Sequence, residues 1–305
     1  MKKVSFAEFG GPEVLQVVDA PVPHAGRGQV RIAVQAAGVN PVDWRIREGQ
    51  FQKSATESHG AIGLPAGVGQ DAAGIVDEVG EGVHGVEAGD RVFGRGWSTY
   101  AEHAVLFAWA PVPENLTFAE AAGYPSVVET ALRILREVGV QPGQTLLVNG
   151  ASGGVGSAVL QIARERGIRV IGTAGPGNQD YLRDLGAVAT TYGDGWVDRV
   201  RQYGAIDAAL DLVGSGILPD LVDLTGDPEA VITIADLSAA AHGVRFSGVG
   251  GPIFEALAEA VDLIARGKLR IPVEKAYPLE HAAAAHADSR AGHTRGRRVI
   301  LIESH

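Results

Sequence analysis

No cysteine occurs among the 305 residues. That excludes disulfides, thiolate nucleophiles and any zinc site built on sulfur. Aromatic residues make up only 6% of the chain and there is one methionine, so aliphatic side chains must fill the cores. Positive charge is also scarce: 26 Lys and Arg stand against 36 Asp and Glu, a net charge of −10. An acidic surface does not attract phosphate backbones, so nucleic acid is not expected as a partner. No stretch of about 18 apolar residues runs without a charge, so no membrane-spanning helix is expected. The opening MKKVSFAEFGG is basic but lacks an apolar run, so it does not read as a signal peptide. The expected location is the cytoplasm.

Glycine is abundant, with 42 residues and no collagen period, which points to tight turns and close backbone approaches. Hydrophobic residues at 46% suffice for sizeable cores, and the length suggests two domains. Short alternating runs such as GQVRIAVQAAGVN, GIVDEVGEGV, GDRVFGR and YAEHAVL recur between turn signals in the first hundred or so residues. They suggest a small barrel or sandwich. Residues 48–69 carry no clear period and read as a long loop. Near Asn115 the rhythm changes. FAEAAGYPSVVETALRILREVGV has helical spacing. From QTLLVNG onward strands and helices alternate, as in a parallel sheet covered on both faces. IFEALAEAVDLIARGKL is a further amphipathic helix, and the tail ends in a strand expected to return to the first domain. The expected division is a discontinuous domain of residues 1–119 and 266–305, interrupted by a Rossmann-like domain of residues 120–265.

The most informative motif is Gly150-Ala151-Ser152-Gly153-Gly154-Val155-Gly156, between a strand ending at Asn149 and a helix. Glycines there allow a tight turn and a close approach to a pyrophosphate. The helix start adds free N–H groups, so Ser152, Gly153, Gly154 and Val155 are candidate cofactor contacts. An NAD site places an acid about 20 residues on, at the end of the second strand, to bind the ribose 2′-hydroxyl. Here that strand ends Thr173-Ala174-Gly175, without an acid. A carboxylate would repel a 2′-phosphate, so its absence permits NADPH. Thr173 offers a hydroxyl donor, and Asn178 and Tyr192 follow. The competing reading makes these ordinary loop residues. Val213 and Gly214 end the fourth strand of this sheet, and Ile234 and Ala235 the next, where dinucleotides bind in such sheets.

Several segments form an ordered set: GGPEVL, AAGVNPVDWRIREG, GQDAAGIVDEVGEGV, GDRVFG, VNGASGGVGSAVLQIA and HTRGRRVIL. The set resembles the zinc-independent, zeta-crystallin-like quinone oxidoreductases of the medium-chain dehydrogenase/reductase superfamily. The resemblance implies an α/β fold, a GroES-like β-barrel catalytic domain plus a Rossmann doubly wound parallel sheet. It also implies NADPH-dependent hydride transfer to a quinone or α,β-unsaturated carbonyl. Zinc alcohol dehydrogenases share this fold and hold their metal with cysteines and a Gly-His-Glu segment. The matching segment here is Gly69-Gln70-Asp71. The nine histidines form no close ligand cluster, and His242, His281, His286 and His293 read as surface or helix residues. No metal is expected. Conjugate reduction needs none: placement and hydrogen bonds to the carbonyl oxygen suffice.

By the same resemblance, Asn40 in GVNPVD lies near the nicotinamide, with an amide able to donate to cofactor or substrate. It also suits a turn before Pro41. Asp43 matches a family acid that organises this loop, and a structural pairing with Arg45 or Arg47 is the expectation. Thr130 matches a threonine near the nicotinamide. The preceding Glu129, where an apolar residue is common, is either a surface feature or the mark of an altered pocket. Arg297 matches a basic residue that approaches the cofactor; a solvated charge is the other reading. Arg45 and Phe51 stand where some members carry pocket tyrosines. Tyr124 is a third pocket candidate, with packing at a domain junction as the alternative. No general acid is assignable.

Two other functions fit the glycine loop: an NADPH-binding sensor or structural protein without turnover, and an enoyl-thioester reductase. The acidic composition weighs against the second. Family members often pair through the edge strand of the Rossmann sheet, so a homodimer through VRFSGV, residues 244–249, is expected.

Overall fold

A computed structural model describes residues 1–50, 63–248 and 250–303. The strands are β1 (Lys2–Phe6), β2 (Gln16–Asp19), β3 (Val30–Val39), β4 (Ala66–Gly67), β5 (Asp71–Val79), β6 (Arg91–Trp97), β7 (His103–Pro111) and β8 (Thr145–Asn149). They continue with β9 (Arg169–Thr173), β10 (Val188–Thr190), β11 (Ala208–Asp211), β12 (Val231–Thr233), β13 (Arg245–Phe246), β14 (Val273–Pro278) and β15 (Arg297–Leu301). The helices used below are α1 (Pro41–Arg47), α2 (Pro125–Val138), α3 (Gly154–Glu165), α4 (Ile253–Ala265) and α5 (Ala282–Ala291). Among the described residues no helix is long and apolar enough to cross a membrane.

The residues fall into two compact units. The first comprises Met1–Ser126, Ile253–Ala265 and Pro272–His305, and the second Val127–Pro252 and Arg266–Ile271. These ranges differ from the sequence division at residues 120–126, 253–265 and 266–271. Helix α4 sits with the first unit because Phe254 packs edge-on to Trp109 of β7, with ring centroids 5.7 Å apart.

In the first unit the alternation of β3 carries the architecture. Val30, Ile32, Val34 and Ala36 are buried while the residues between them are partly exposed, which lays one face of the strand on the core. Strand β3 pairs with β5, β5 with β6, β6 with β7, and β7 back with β3, so these antiparallel strands close on themselves. Closure removes the free edges that an open antiparallel sheet would expose. The C-terminal β15 returns to pair antiparallel with β3, placing Val299 opposite Gly38. The stretch 48–69 is not one loop. Ala66 and Gly67 pair with β1, and the Ser5 hydroxyl donates to the Ala66 carbonyl at 2.8 Å. Residues 51–62, including Phe51, lie outside the described residues.

The second unit is a six-stranded parallel sheet in the order β10-β9-β8-β11-β12-β13. The order turns back between β8 and β11, as in doubly wound nucleotide-binding sheets. All five residues of β8 are buried, as expected where a sheet is covered on both faces. Leu147, Ile171, Val200, Leu218, Leu221 and Val231 share one core. At the sheet edge the strand expected over 244–249 is only Arg245–Phe246, paired parallel with β12; Val249 lies outside the described residues.

The burial contrast makes a simple prediction. Leu147 is fully buried and Leu237 is 68% exposed. Leu147→Ala should cost about 2–5 kcal/mol of stability in denaturant titration. Leu237→Ala should stay within about 0.5 kcal/mol.

Candidate active site

Strand β3 ends at Val39 and α1 begins at Pro41, so Asn40 occupies the joint between them. Its buried side chain is held from both sides. The Asn40 amide Nδ2 donates to Asp71 Oδ2 at 2.9 Å, and its Oδ1 accepts from Arg297 Nη2 at 2.8 Å. A guanidinium only donates and a carboxylate only accepts, so these neighbours fix which way the amide points. Asp71, fully buried at the start of β5, also accepts from the Ser126 hydroxyl at 2.6 Å and the Ser126 N–H at 3.1 Å. Arg297 Nη2 lies 3.8 Å from Asp71 Oδ2. Burial pulls Arg297 below the ordinary arginine range, opposed by Asp71 and Asp43. Arg297 is therefore an interior cation, and the solvated-charge reading does not hold.

Asp43 pairs with neither Arg45 nor Arg47. Its Oδ2 accepts from the Asn40 backbone N–H at 2.8 Å and the Tyr100 hydroxyl at 3.1 Å, and Oδ1 has no protein partner. The carboxylate lies at the third residue of α1, where reaching back to the cap N–H is the favoured geometry. Arg47 instead donates to the Gly10 carbonyl and to Glu48, and the Arg45 guanidinium lies over the Trp44 ring, 5.4 Å from its centroid. Burial pushes the Asp43 carboxyl up to about 7; Asp71 adds to this, while the two hydrogen bonds and Arg297 oppose it. Burial also raises the Tyr100 hydroxyl well above its usual range, again with help from Asp43.

His286 is not a surface residue. It is fully buried on α5 with its ring edge-on to Tyr100 at 5.7 Å, and burial, then Arg47, lower it to about 3. His242, His281 and His293 are exposed. Beside the cluster, a cavity of about 130 Å³ is lined by Phe6, Asp43, Ile46, Val68, Gln70 and Trp97. Tyr124 is fully buried.

In the second unit the glycine loop joins β8 to α3. Gly150 has φ +82°, a conformation that L side chains rarely adopt. A Cβ on Gly156 would sit 2.4 Å from the Gly150 carbonyl oxygen, so only glycine lets α3 start this close to the turn. Ser152 is buried, and Gly153, Gly154 and Val155 are partly exposed at the helix start. Asn178 Nδ2 donates to Ser152 Oγ at 3.3 Å, which brings those two candidates together. Ala174 is buried, Gly175 half-buried and Tyr192 exposed.

Thr173 contradicts its expected role. It is fully buried and its hydroxyl donates to Asn149 Oδ1 at 2.8 Å, so it has no proton left for a 2′-phosphate. The N–H groups of Val213 and Gly214 are likewise committed, both to Asp211 at 3.1 Å. The side chain of Val213 is half exposed, and Ile234 and Ala235 are partly buried at the end of β12. Thr130, half-buried on α2, lies 3.4 Å from Glu129 through its hydroxyl. Glu129 is no surface feature: it is buried and accepts from Arg133 Nε at 2.8 Å and the Gly251 N–H at 3.0 Å.

Sequence reasoning missed Asp71, Ser126 and Tyr100 as partners in the first cluster, and Asn149, Asp211 and Thr233 in the second. A signal existed for the second group, since each is a polar last residue that follows an apolar run within its strand.

The shifted carboxyl generates a stability prediction. A folded-state pKa raised from 3.8 to about 7 contributes stability that is complete below about pH 4 and lost as pH rises through about 7. Asp43→Asn is neutral throughout. Its thermal midpoint should therefore fall less than that of the native protein between about pH 4 and pH 8. Parallel curves from differential scanning calorimetry would contradict this.

Residues 26–113 match the family model for the alcohol dehydrogenase GroES-like domain, and residues 185–300 that for the zinc-binding dehydrogenase. The quinone oxidoreductase of Rattus norvegicus is 33% identical, over 99% of this chain and 98% of the relative. The structure of the quinone oxidoreductase from Coxiella burnetii is 30% identical with a TM-score of 0.87, covering 99% of both chains. That of Escherichia coli quinone oxidoreductase complexed with NADPH is 25% identical with a TM-score of 0.84, covering 99% of this chain and 100% of the other. Closed barrel, doubly wound sheet and full-length identity agree, and the chain belongs to the quinone oxidoreductase family of the medium-chain dehydrogenases/reductases.

Proposed function

We propose that this protein is an NADPH-dependent reductase of quinones or α,β-unsaturated carbonyls that works without zinc. The observation that carries the reading is the side-chain set around Asn40. A zinc ion needs lone pairs from several ligands at once. Here the Asn40 oxygen accepts from Arg297, Asp71 from Asn40 and Ser126, and the Gln70 oxygen from Arg95 at 2.5 Å. Each of these oxygens is already engaged by a protein donor, and neither sulfur nor imidazole stands among them, so the set is a poor match for the metal. An acceptor that needs no Lewis acid suits such a site.

The glycine cradle fits a dinucleotide. Gly153, Gly154 and Val155 would face its pyrophosphate, with Ser152, Asn178, Ala174, Gly175 and Tyr192 toward the adenosine end. Val213, Gly214, Ile234, Ala235 and Thr130 would lie toward the nicotinamide. Bound NADPH supplies a hydride. Asn40, already aimed by Asp71 and Arg297, keeps a second amide N–H to offer a carbonyl oxygen, and such donors act where negative charge develops. Arg45, Phe51 and the cavity beside Asp43 are the candidate substrate walls. Two copies are proposed to pair through β13, whose Phe246 is 39% exposed.

Four measurements test this. NADPH oxidation should be seen with a panel of quinones and cyclic enones, and a chelator should leave the rate unchanged; binding of NADPH with no turnover on any acceptor would sink the enzyme reading. Asn40→Ala should lower kcat by about 10–100-fold and leave measurable activity, since loss of an oriented donor costs about 10²–10³ at most. A Cβ on Gly175 would lie 3.3 Å from the Tyr192 hydroxyl, so Gly175→Asp would place a carboxylate on the adenosine side of the cradle. It should weaken NADPH relative to NADH by about tenfold, read from the two Kd values. Light scattering should give the mass of two chains.

A further inference from the structure

At the seam where the parallel sheet turns back, the last residues of four strands form a row of side-chain hydrogen bonds. Thr173 of β9 donates to Asn149 of β8 at 2.8 Å, and Asn149 donates to Asp211 of β11 at 3.0 Å. From the other side, Thr233 of β12 donates to Asp211 at 2.8 Å. All four side chains are buried. The row then passes into the backbone. Asp211 accepts the N–H groups of Val213 and Gly214, and Thr233 Oγ1 accepts those of Ala235 at 3.1 Å and Asp236 at 3.0 Å.

A buried carboxylate must find donors, but that need does not say why one stands here. An apolar residue ending β11 would pack without any. What the carboxylate does that an apolar residue could not is gather donors from both sides of the seam. Asn149 belongs to the half that carries the glycine loop. Val213, Gly214 and Thr233 belong to the other half.

We propose that Asp211 is a positioning residue for the cofactor: it holds the turns at Val213–Gly214 and, through Thr233, at Ile234–Ala235 in register with the glycine loop. The inference rests on the reading that NADPH binds this sheet. Each half of a doubly wound sheet takes one mononucleotide. The half with β8, β9 and β10 takes the adenosine end, and the half with β11, β12 and β13 the nicotinamide end. Loss of the carboxylate removes one link to the first half, from Asn149, and three to the second, from Val213, Gly214 and Thr233, so it acts mainly on one end of the ligand.

Asp211→Asn makes the test. The amide offers one acceptor oxygen where the carboxylate offers two, so the donors on Oδ1 and the Thr233 hydroxyl on Oδ2 can no longer both be held. Calorimetry on the purified full chain would give Kd for NADPH and for adenosine 2′,5′-bisphosphate, which carries only the adenosine end. The NADPH Kd should rise about tenfold and kcat should fall, while the bisphosphate Kd stays within about twofold of native. Thr233→Val removes one link and retains the carboxylate, so it serves if Asp211→Asn does not fold; the same split is expected, with a smaller rise. Equal weakening of both ligands would mean general loosening and overturn the proposal, as would unchanged NADPH affinity. Failure of the native protein to bind NADPH would instead overturn the function proposed above.

Discussion

A buried guanidinium cannot be left alone. Arg297 stands on the first residue of β15, at the far end of the chain from the joint that follows β3, and its charge is inside the first unit. Asp71 is the carboxylate that answers it, with Asn40 bridging the two through both ends of its amide. The antiparallel register of β15 on β3 makes the meeting possible, since Arg298 lies opposite Val39 and Asn40 follows directly. Pairing of the two ends of the chain and orientation of the candidate site residue are thus one constraint. Removing either charge would leave the other buried without a partner, which commonly costs several kcal/mol.

The same constraint explains Asp43. One buried cation balances one buried carboxylate, and Asp71 has that place. A second carboxylate nearby finds no further positive charge to hold it ionised, so burial and Asp71 together favour its neutral form. Neutral Asp43 still accepts from Asn40 and Tyr100 through one oxygen. Burial therefore favours the proton on Asp43 up to about neutrality. The second unit solves its polar problem differently. There one carboxylate, Asp211, is compensated by hydrogen bonds from neutral groups across three strands and the turn that follows β11.

Architecture is legible in the sequence because it follows from periods. Alternation marks the barrel strands, and uniform apolar runs mark the buried parallel strands. The glycine loop is legible because Gly150 and Gly156 are demanded by backbone geometry alone. Strand β4 is not: two residues pair with β1 because a distant strand presents a free edge and a serine hydroxyl, and no local pattern records that. Thr173 misleads for a related reason. A hydroxyl at a strand end suits a ligand, but its direction is set by Asn149 on the adjacent strand. His286 lies on a helix, as one of its two readings had it, but its burial leaves little trace in the spacing because that helix is alanine-rich. Site residues that act through their own backbone are readable; those that act through a partner far along the chain are not.

On the zinc-independent reading, Arg297 supplies what a metal would otherwise supply, a fixed positive charge inside the site. The two differ in what they do to protons. A metal ion lowers the pKa of the water it binds and so brings a titrating group to the reaction. A guanidinium stays charged across the working range and donates in a fixed plane. Its effect is to orient Asn40 beside Asp71, which is placement without acid–base chemistry. Burial moves the Asp43 carboxyl toward neutrality, and that carboxyl meets Asn40 at its backbone N–H. Orientation and protonation are thereby assigned to different side chains, so a change in the charge of Asp43 can leave the amide of Asn40 pointing where Arg297 and Asp71 have set it.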